Sequence, residues 1–144
     1  MKKPLVILGT NRDDSNTLKA LPFKDFELVE LHKSKLQHYV YGVVKPLDDF
    51  LFLAQKMVEA DEIIFATPVY WYAMSGVMKI FIDRFSDLIS TSKPLGKALK
   101  GKKVSLFVTG SDDLLPEGFD VPFRLTSKYF EMEFQSTTYL SIKD

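Results

Sequence analysis

Three short stretches of this 144-residue chain collect side chains suited to binding rather than packing. The first, GTNRDDSNT, runs from Gly9 to Thr17. A strand-like apolar run stops at Gly9 and a helix start follows, and a turn of that kind presents free backbone N–H groups and the positive end of a helix dipole. Thr10, Ser15 and Thr17 add hydroxyl donors, and Arg12 adds a planar cation that suits phosphate. Together they make a cradle for a phosphate monoester. The stretch is neither GxGxxG nor GxxxxGK[ST], so neither a dinucleotide fingerprint nor a P-loop is indicated. On spacing alone it serves equally well as a plain capped turn with Ser15 as N-cap. The second stretch, TPVYWYAMSG from Thr67 to Gly76, sets the single tryptophan, Trp71, between Tyr70 and Tyr72. Aromatic groups at a strand-to-helix turn are costly to leave in water, and a flat heterocycle would cover them. A core plug or a dimer contact would do so too. The third stretch, GSDDLLPEG from Gly110 to Gly118, has glycines that allow close backbone approach. Its Asp112, Asp113 and Glu117 lack a recognised ligand spacing, so they read as solvated loop charges and no metal is predicted.

The elements that must position these loops follow from hydrophobic periodicity. Leu5 to Leu8 is a continuous apolar run, as expected of a strand buried on both faces. Ser15 to Leu21 predicts a short helix that Pro22 ends. Phe26 to Leu31 is strand-like but more polar, which suggests a sheet edge, and His32 to Val44 has no period and reads as a loop. Leu47 to Val58 is amphipathic at helical spacing, with Asp48 and Asp49 placed in its first turn where the helix dipole favours anions. Glu62 to Thr67 is a second buried strand. Gly76 to Ile89 predicts one helix with Ser75 as N-cap. Lys102 to Thr109 is a third buried strand, Phe119 to Met132 a helix that Pro122 starts or interrupts, and Phe134 to Ile142 a half-polar last strand. Strands alternating with helices imply a parallel sheet with right-handed crossovers. Two half-polar edge strands fit a doubly wound order 2-1-3-4-5, in which ligands bind beyond the carboxyl ends of strands one and three. The three binding loops meet there.

Bulk properties narrow the function. The length fits one domain, residues 1–144. Nineteen basic residues balance nineteen acidic ones, so the basic excess usual for a nucleic-acid binder is missing. The chain has no cysteine, which excludes disulfides, thiolate catalysis and cysteine-ligated metals. No apolar run approaches the length of a membrane span or a signal peptide, and a cytoplasmic location is expected. Aromatic residues make up 13% of the chain, a surplus that needs a use.

The segment Thr67 to Arg84, TPVYWYAMSGVMKIFIDR, closely resembles the flavin loop of the flavodoxin-like NAD(P)H-dependent FMN reductases. Gly9 to Thr17 is similar to their phosphate loop, and the strand pattern is compatible over nearly the whole chain. The resemblance implies a flavodoxin-like three-layer α/β sandwich that holds FMN and takes hydride from NADPH or NADH. The acceptor would be a quinone, a flavin or a similar small molecule. Thr10, Arg12, Ser15, Asn16 and Thr17 match the positions that hold the phosphate. Pro68, Val69, Tyr70, Trp71 and Tyr72 match the turn beside the isoalloxazine ring, and Gly110 and Ser111 would approach its pyrimidine edge. A homodimer with the flavin near the interface is also implied. Asp13 and Asp14 depart from the pattern, and two negative charges beside a dianionic phosphate weaken binding unless they point away. Flavin chemistry needs no side-chain acid or base, so no catalytic residue is assigned, and His32 and His38 read as surface residues. Tyr39, Tyr41 and Gly42 are expected to pack over the flavin or against a partner subunit. The alternatives are a flavodoxin-type electron carrier, which the neutral net charge disfavours, and a flavin-binding module without NAD(P)H turnover.

Overall fold

The computed structural model describes residues 2–42 and 48–143. Five strands form one parallel sheet: β1 (Leu5–Leu8), β2 (Glu27–Glu30), β3 (Glu62–Pro68), β4 (Lys103–Gly110) and β5 (Glu133–Ser141). The order is β2-β1-β3-β4-β5, as the polarity of the runs predicts. β1 pairs residue by residue with β2 on one side and β3 on the other, so all four of its side chains are buried. The edge strands are the polar ones: β2 has two exposed positions and β5 alternates exposed with half-buried side chains. A register shift between Val104 and Ser105 leaves Gln135 as an extra residue in β5.

The layers on the two faces differ in thickness. One face, with Leu5, Ile7, Ile63, Phe65, Leu106 and Val108, packs on α2 (Phe50–Glu59), α3 (Gly76–Asp83), α4 (Lys93–Lys97) and α5 (Val121–Tyr129). Six phenylalanines of the aromatic surplus are buried here. Phe50 lies 5.6 Å from Phe81, Phe81 5.4 Å from Phe85, and Phe65 5.5 Å from Phe123, ring centre to ring centre. Each fully buried ring contributes about 1.5–3 kcal/mol of apolar burial. The other face, with Val6, Leu8, Ile64, Ala66 and Phe107, is covered by α1 (Asn16–Lys19) and the segment after it, through Leu18, Leu21, Phe23 and Phe26.

Several boundaries differ from expectation. The helix predicted for Gly76 to Ile89 is α-helical only to Asp83 and tightens into a 3-10 helix over Arg84–Ile89, a common way to end an α-helix. A further helix, α4, escapes the sequence reading because it is five residues long with Pro94 in its first turn. Its Gly96 is required, since a Cβ there would stand 2.2 Å from the Leu88 carbonyl oxygen. Leu31–Lys33 forms a 3-10 turn rather than the end of β2 and a loop. Pro122 lies in the first turn of α5, so it starts the helix. The expected start of α2 at Leu47 lies outside the described residues, as do Val43 and Val44 of the expected loop.

Asp48 and Asp49 stand just before α2 rather than in its first turn, with Asp49 as the N-cap residue. Asp49 accepts the Lys35 backbone N–H at 2.7 Å. Asp48 accepts the backbone N–H groups of Gln37 and Phe50 and meets the buried Arg84 guanidinium at 2.6 Å. Arg84 also binds Asp87 at 3.0 Å and donates to the Gln37 carbonyl at 2.9 Å. Its guanidinium lies 4.9 Å from the centre of the Phe50 ring. Burial pushes the Asp48 carboxyl up, and the Arg84 and backbone donors outweigh it, leaving its pKa below the ordinary value. Burial likewise opposes the Arg84 charge, while Asp48 and Asp87 hold it protonated with a raised pKa.

Candidate functional site

The ends of β1, β3, β4 and β5 converge at the carboxyl edge of the sheet, where the order reverses between β1 and β3. Backbone bonds join them: Gly9 N–H to the Ala66 carbonyl at 2.8 Å, Val69 N–H to Thr109 at 2.8 Å, and Ile142 N–H to Gly110 at 2.7 Å. The helix starts are capped from within the loops. Ser15 Oγ accepts the Leu18 N–H and Ser75 Oγ accepts the Met78 N–H, both as expected from sequence. Thr67 Oγ1 accepts the Ser75 N–H at 3.1 Å and fixes the entry to α3. A Cβ on Gly9 would come within 2.9 Å of Met78 Cβ and 3.0 Å of Ser75 Oγ, so the first and second loops interlock there.

The loops enclose a cleft of about 350 Å³, within the usual range for small-ligand pockets. Thr10, Arg12, Ser15, Asn16 and Thr17 line it from the first loop, Pro68, Val69 and Tyr70 from the second, and Gly110 and Ser111 from the third. Trp71 and Tyr72 line an adjoining recess of about 220 Å³, which shares Val69 and Ser111 with the cleft. All the predicted site residues therefore fall in two neighbouring hollows. Asn11, Thr109 and Ile142 also line the cleft, and Asp112 and Tyr139 the recess. Thr109 had a usable signal, as the last residue before Gly110. Tyr139 had none, since it reaches the site only through β4–β5 pairing.

The chemistry of the lining is divided. At the phosphate-loop end, Thr17 and Thr109 are buried with their hydroxyls 2.6 Å apart. Arg12 is the one cation among the described residues that line the cleft, and its side chain is 64% exposed with Asp14 at 3.9 Å. Asp13 is engaged elsewhere. Its carboxylate lies 2.9 Å from His32 Nε2 and 3.5 Å from Lys33 Nζ. The His32 hydrogen bond and the Lys33 charge lower its pKa. His32 is thus largely buried rather than a surface residue, with its Nδ1 lacking a partner. Asp13, Glu30 and His32 come together with ligand atoms within 4.8 Å. Lys33 Nζ already supplies the cation, 2.9 Å from Glu30.

At the aromatic end, Trp71 and Tyr72 adopt φ of 50° and 68°. Tyr70 and Ala73 exchange backbone hydrogen bonds across them, at 2.9 and 3.3 Å. This is the geometry of a type I′ turn, which Asn-Gly ordinarily occupies. Each bulky residue held there costs about 1–2 kcal/mol, and strain of this kind gathers at functional sites. Trp71 is 92% and Tyr72 67% exposed, so the turn holds both rings out to solvent. Behind them, the Tyr139 hydroxyl donates to the Asp112 carbonyl at 2.6 Å. Burial, with the Asp112 and Asp113 charges, raises its pKa. A Cβ on Gly110 would stand 2.7 Å from that hydroxyl and 3.1 Å from Val69 Cγ2. Tyr39 does not line the cleft; it borders a groove on the α3–α5 face with Ile82, Phe85 and Leu125. Tyr41 is exposed, and neither it nor Gly42 is among the residues that line the cleft or the recess.

Fold and site together define a flavodoxin-like α/β domain with a cleft at its switch point. The chain belongs to the NADPH-dependent FMN reductase family, whose sequence pattern matches residues 3–115. It is 35% identical over 97 residues to YwqN of Bacillus subtilis, a protein named as an NAD(P)H-dependent FMN-containing oxidoreductase. That match covers 60% of this chain and 54% of the relative, so the chain spans about half of the relative's length. Among solved structures, the Trp repressor binding protein of Bacillus subtilis superposes with a TM-score of 0.76 at 23% identity, over 98% of this chain and 85% of that one. General stress protein 14 of Treponema denticola, solved in complex with FMN, gives 0.68 at 21% identity, over 95% and 84%. These two likenesses establish the fold. Among the described residues no helix is long and apolar enough to cross a membrane.

Proposed function

We propose that this chain binds FMN in the switch-point cleft and uses it to pass reducing equivalents from NAD(P)H to a small acceptor such as a quinone or a flavin. The observation that carries this is the division of the lining: hydroxyls and Arg12 at one end, Val69, Tyr70 and the Trp71–Tyr72 turn at the other. That donor set fits a phosphate joined to a flat heterocycle. The glycine at 110 lets Val69 and Tyr139 pack directly against the end of β4 beside the cleft, where a Cβ would meet both.

Bound flavin would supply the hydride and electron chemistry, and the protein's part is binding, orientation and exclusion of water. Thr10, Arg12, Ser15, Asn16 and Thr17 would hold the phosphate through hydroxyl, guanidinium and backbone donors. Pro68, Val69 and Tyr70 would flank the ring, Gly110 and Ser111 would meet its polar edge, and Trp71 and Tyr72 would close over it from the recess. The strained, exposed Trp71–Tyr72 turn also supports a homodimer in which a second copy covers it. A cytoplasmic location, expected from the cysteine-free sequence, belongs to the same proposal.

The test is an absorption titration with FMN, followed by NADPH and then NADH under anaerobic conditions. Bound flavin bands that bleach support the reductase. Bands that bind and stay oxidised favour the electron-carrier alternative, and no binding removes the assignment. Trp71 is the only tryptophan, so its quenching by FMN reports the ring end of the cleft independently.

A further inference from the structure

At the opposite end of the sheet, the turns that lead into β4 and β5 enclose a cavity of about 490 Å³. Lys100 and Glu131, which line it, lie three and two residues before those strands, whereas the switch-point cleft lies at the strands' carboxyl ends. The eight residues of β4 separate the two sites by about 25 Å at roughly 3.3 Å per residue.

The floor is apolar. Leu88 and Ile89 close the helix that follows α3, and Tyr129 and Phe130 end α5 with their rings 5.2 Å apart at 67°. Such a corner takes the edge or face of another ring. One wall is cationic. Lys93, Lys97 and Lys100 recur at four- and three-residue spacing along α4 and its last turn, which puts them on one side. None of the three forms an ion pair among the described residues, and Glu131 is the single carboxylate lining the cavity. Gly96 lets α4 lie directly on the Leu88 backbone, which fixes the lysine row over the apolar floor.

We propose that this cavity is a second ligand site, independent of the flavin reading, for a small aromatic anion whose ring sits against Tyr129 and Phe130 and whose carboxylate, sulfonate or phosphate meets Lys93, Lys97 and Lys100. Unpaired cations on one side of an apolar hollow select for that combination: the floor favours the ring, and the lysines favour the charge over a neutral analogue. The anion also relieves the repulsion among the lysines.

The experiment uses the full chain, first without FMN and then with FMN in excess, and two fluorescent probes, the sulfonate 8-anilinonaphthalene-1-sulfonate and its uncharged analogue N-phenyl-1-naphthylamine. An exposed charge contact is worth about two- to fivefold in affinity. Replacing the row together, Lys93→Gln, Lys97→Gln and Lys100→Gln, should therefore weaken the sulfonate about tenfold and leave the neutral probe within twofold. Tyr129→Ser should weaken both probes. Displacement of the sulfonate by FMN would assign its binding to the flavin cleft and overturn the proposal. So would a triple variant that binds the sulfonate as the parent does, or a Tyr129→Ser variant that binds both probes unchanged.

Discussion

Replacing Arg12 with alanine tests the phosphate end of the cleft directly. Among the described residues Arg12 is the only cation lining it, and Asp14 at 3.9 Å is too distant to hold it in a hydrogen bond. The guanidinium is therefore available to a ligand. A charge-assisted hydrogen bond is worth about 1.5–3 kcal/mol. Solvent screening acts on a side chain that is 64% exposed, which places the expected loss near the lower end, about 1.5 kcal/mol. That is about a tenfold rise in the FMN dissociation constant. Riboflavin has the same ring system and no phosphate, so its affinity should stay within twofold. Calorimetric or fluorescence titration of both flavins against parent and Arg12→Ala, at low and moderate salt, gives the four constants needed. The tenfold difference should shrink as salt is added. An FMN constant changed by less than twofold, or equal weakening of FMN and riboflavin, would refute the placement of the phosphate beside Arg12.

Arg84→Met should lower stability by about 3–5 kcal/mol, because it strands the buried Asp48 carboxylate. For 144 residues, an unfolding entropy of about 0.3 kcal/mol per kelvin converts this to a fall in Tm of roughly 10–17 °C, read by circular dichroism. The lowered pKa of Asp48 means that the unfolded chain binds its proton more readily than the folded one. Its stabilisation is thus fully present above the ordinary carboxyl value near 3.8 and is lost as pH falls through the lower folded value. Urea unfolding at pH 6 and pH 3 should show a smaller acid loss in Asp48→Asn than in the parent, and equal losses would exclude this pair as the cause. Trp71→Asn combined with Tyr72→Gly should relax the type I′ turn and raise stability by about 1–2 kcal/mol, while weakening flavin binding. A variant that gains stability and keeps its flavin affinity would separate the strained turn from the site. Gly110→Ala should weaken FMN several-fold, because the added Cβ would stand 2.7 Å from the Tyr139 hydroxyl and push that ring aside, with partial recovery when Tyr139→Phe removes the clashing atom.

Much of the fold is legible locally. Leu5 to Leu8 and Glu62 to Thr67 identify themselves as buried strands because a strand covered on both faces is apolar at successive positions. Ser15 and Ser75 are recognisable as caps because the bond each makes closes over three residues of its own chain. The polarity of β2 and β5 marks the sheet edges, and the edges with the alternation of elements point to the strand order. The binding loops follow, since the carboxyl ends of parallel strands are where open α/β sheets leave room for a ligand. Five-residue α4 escapes this reasoning, because too few side chains repeat for a period to appear.

What the sequence determined by itself was the set of strands, their capped loops and the residue types gathered at one end of the sheet. The tertiary structure alone decided which distant groups meet. Thr17 finds Thr109 across 92 residues, Arg84 finds Asp48 across 36, and Tyr139 reaches Asp112 across 27. It also turned Asp13 toward His32 and Lys33 and put two aromatic residues into a turn that local preference assigns to asparagine and glycine. The physical reason is common to all of these. Periodicity and capping are short-range energies written along the chain, whereas a buried ion pair or a strained turn is fixed by the surrounding packing, whose free energy outweighs local preference only once the chain has folded.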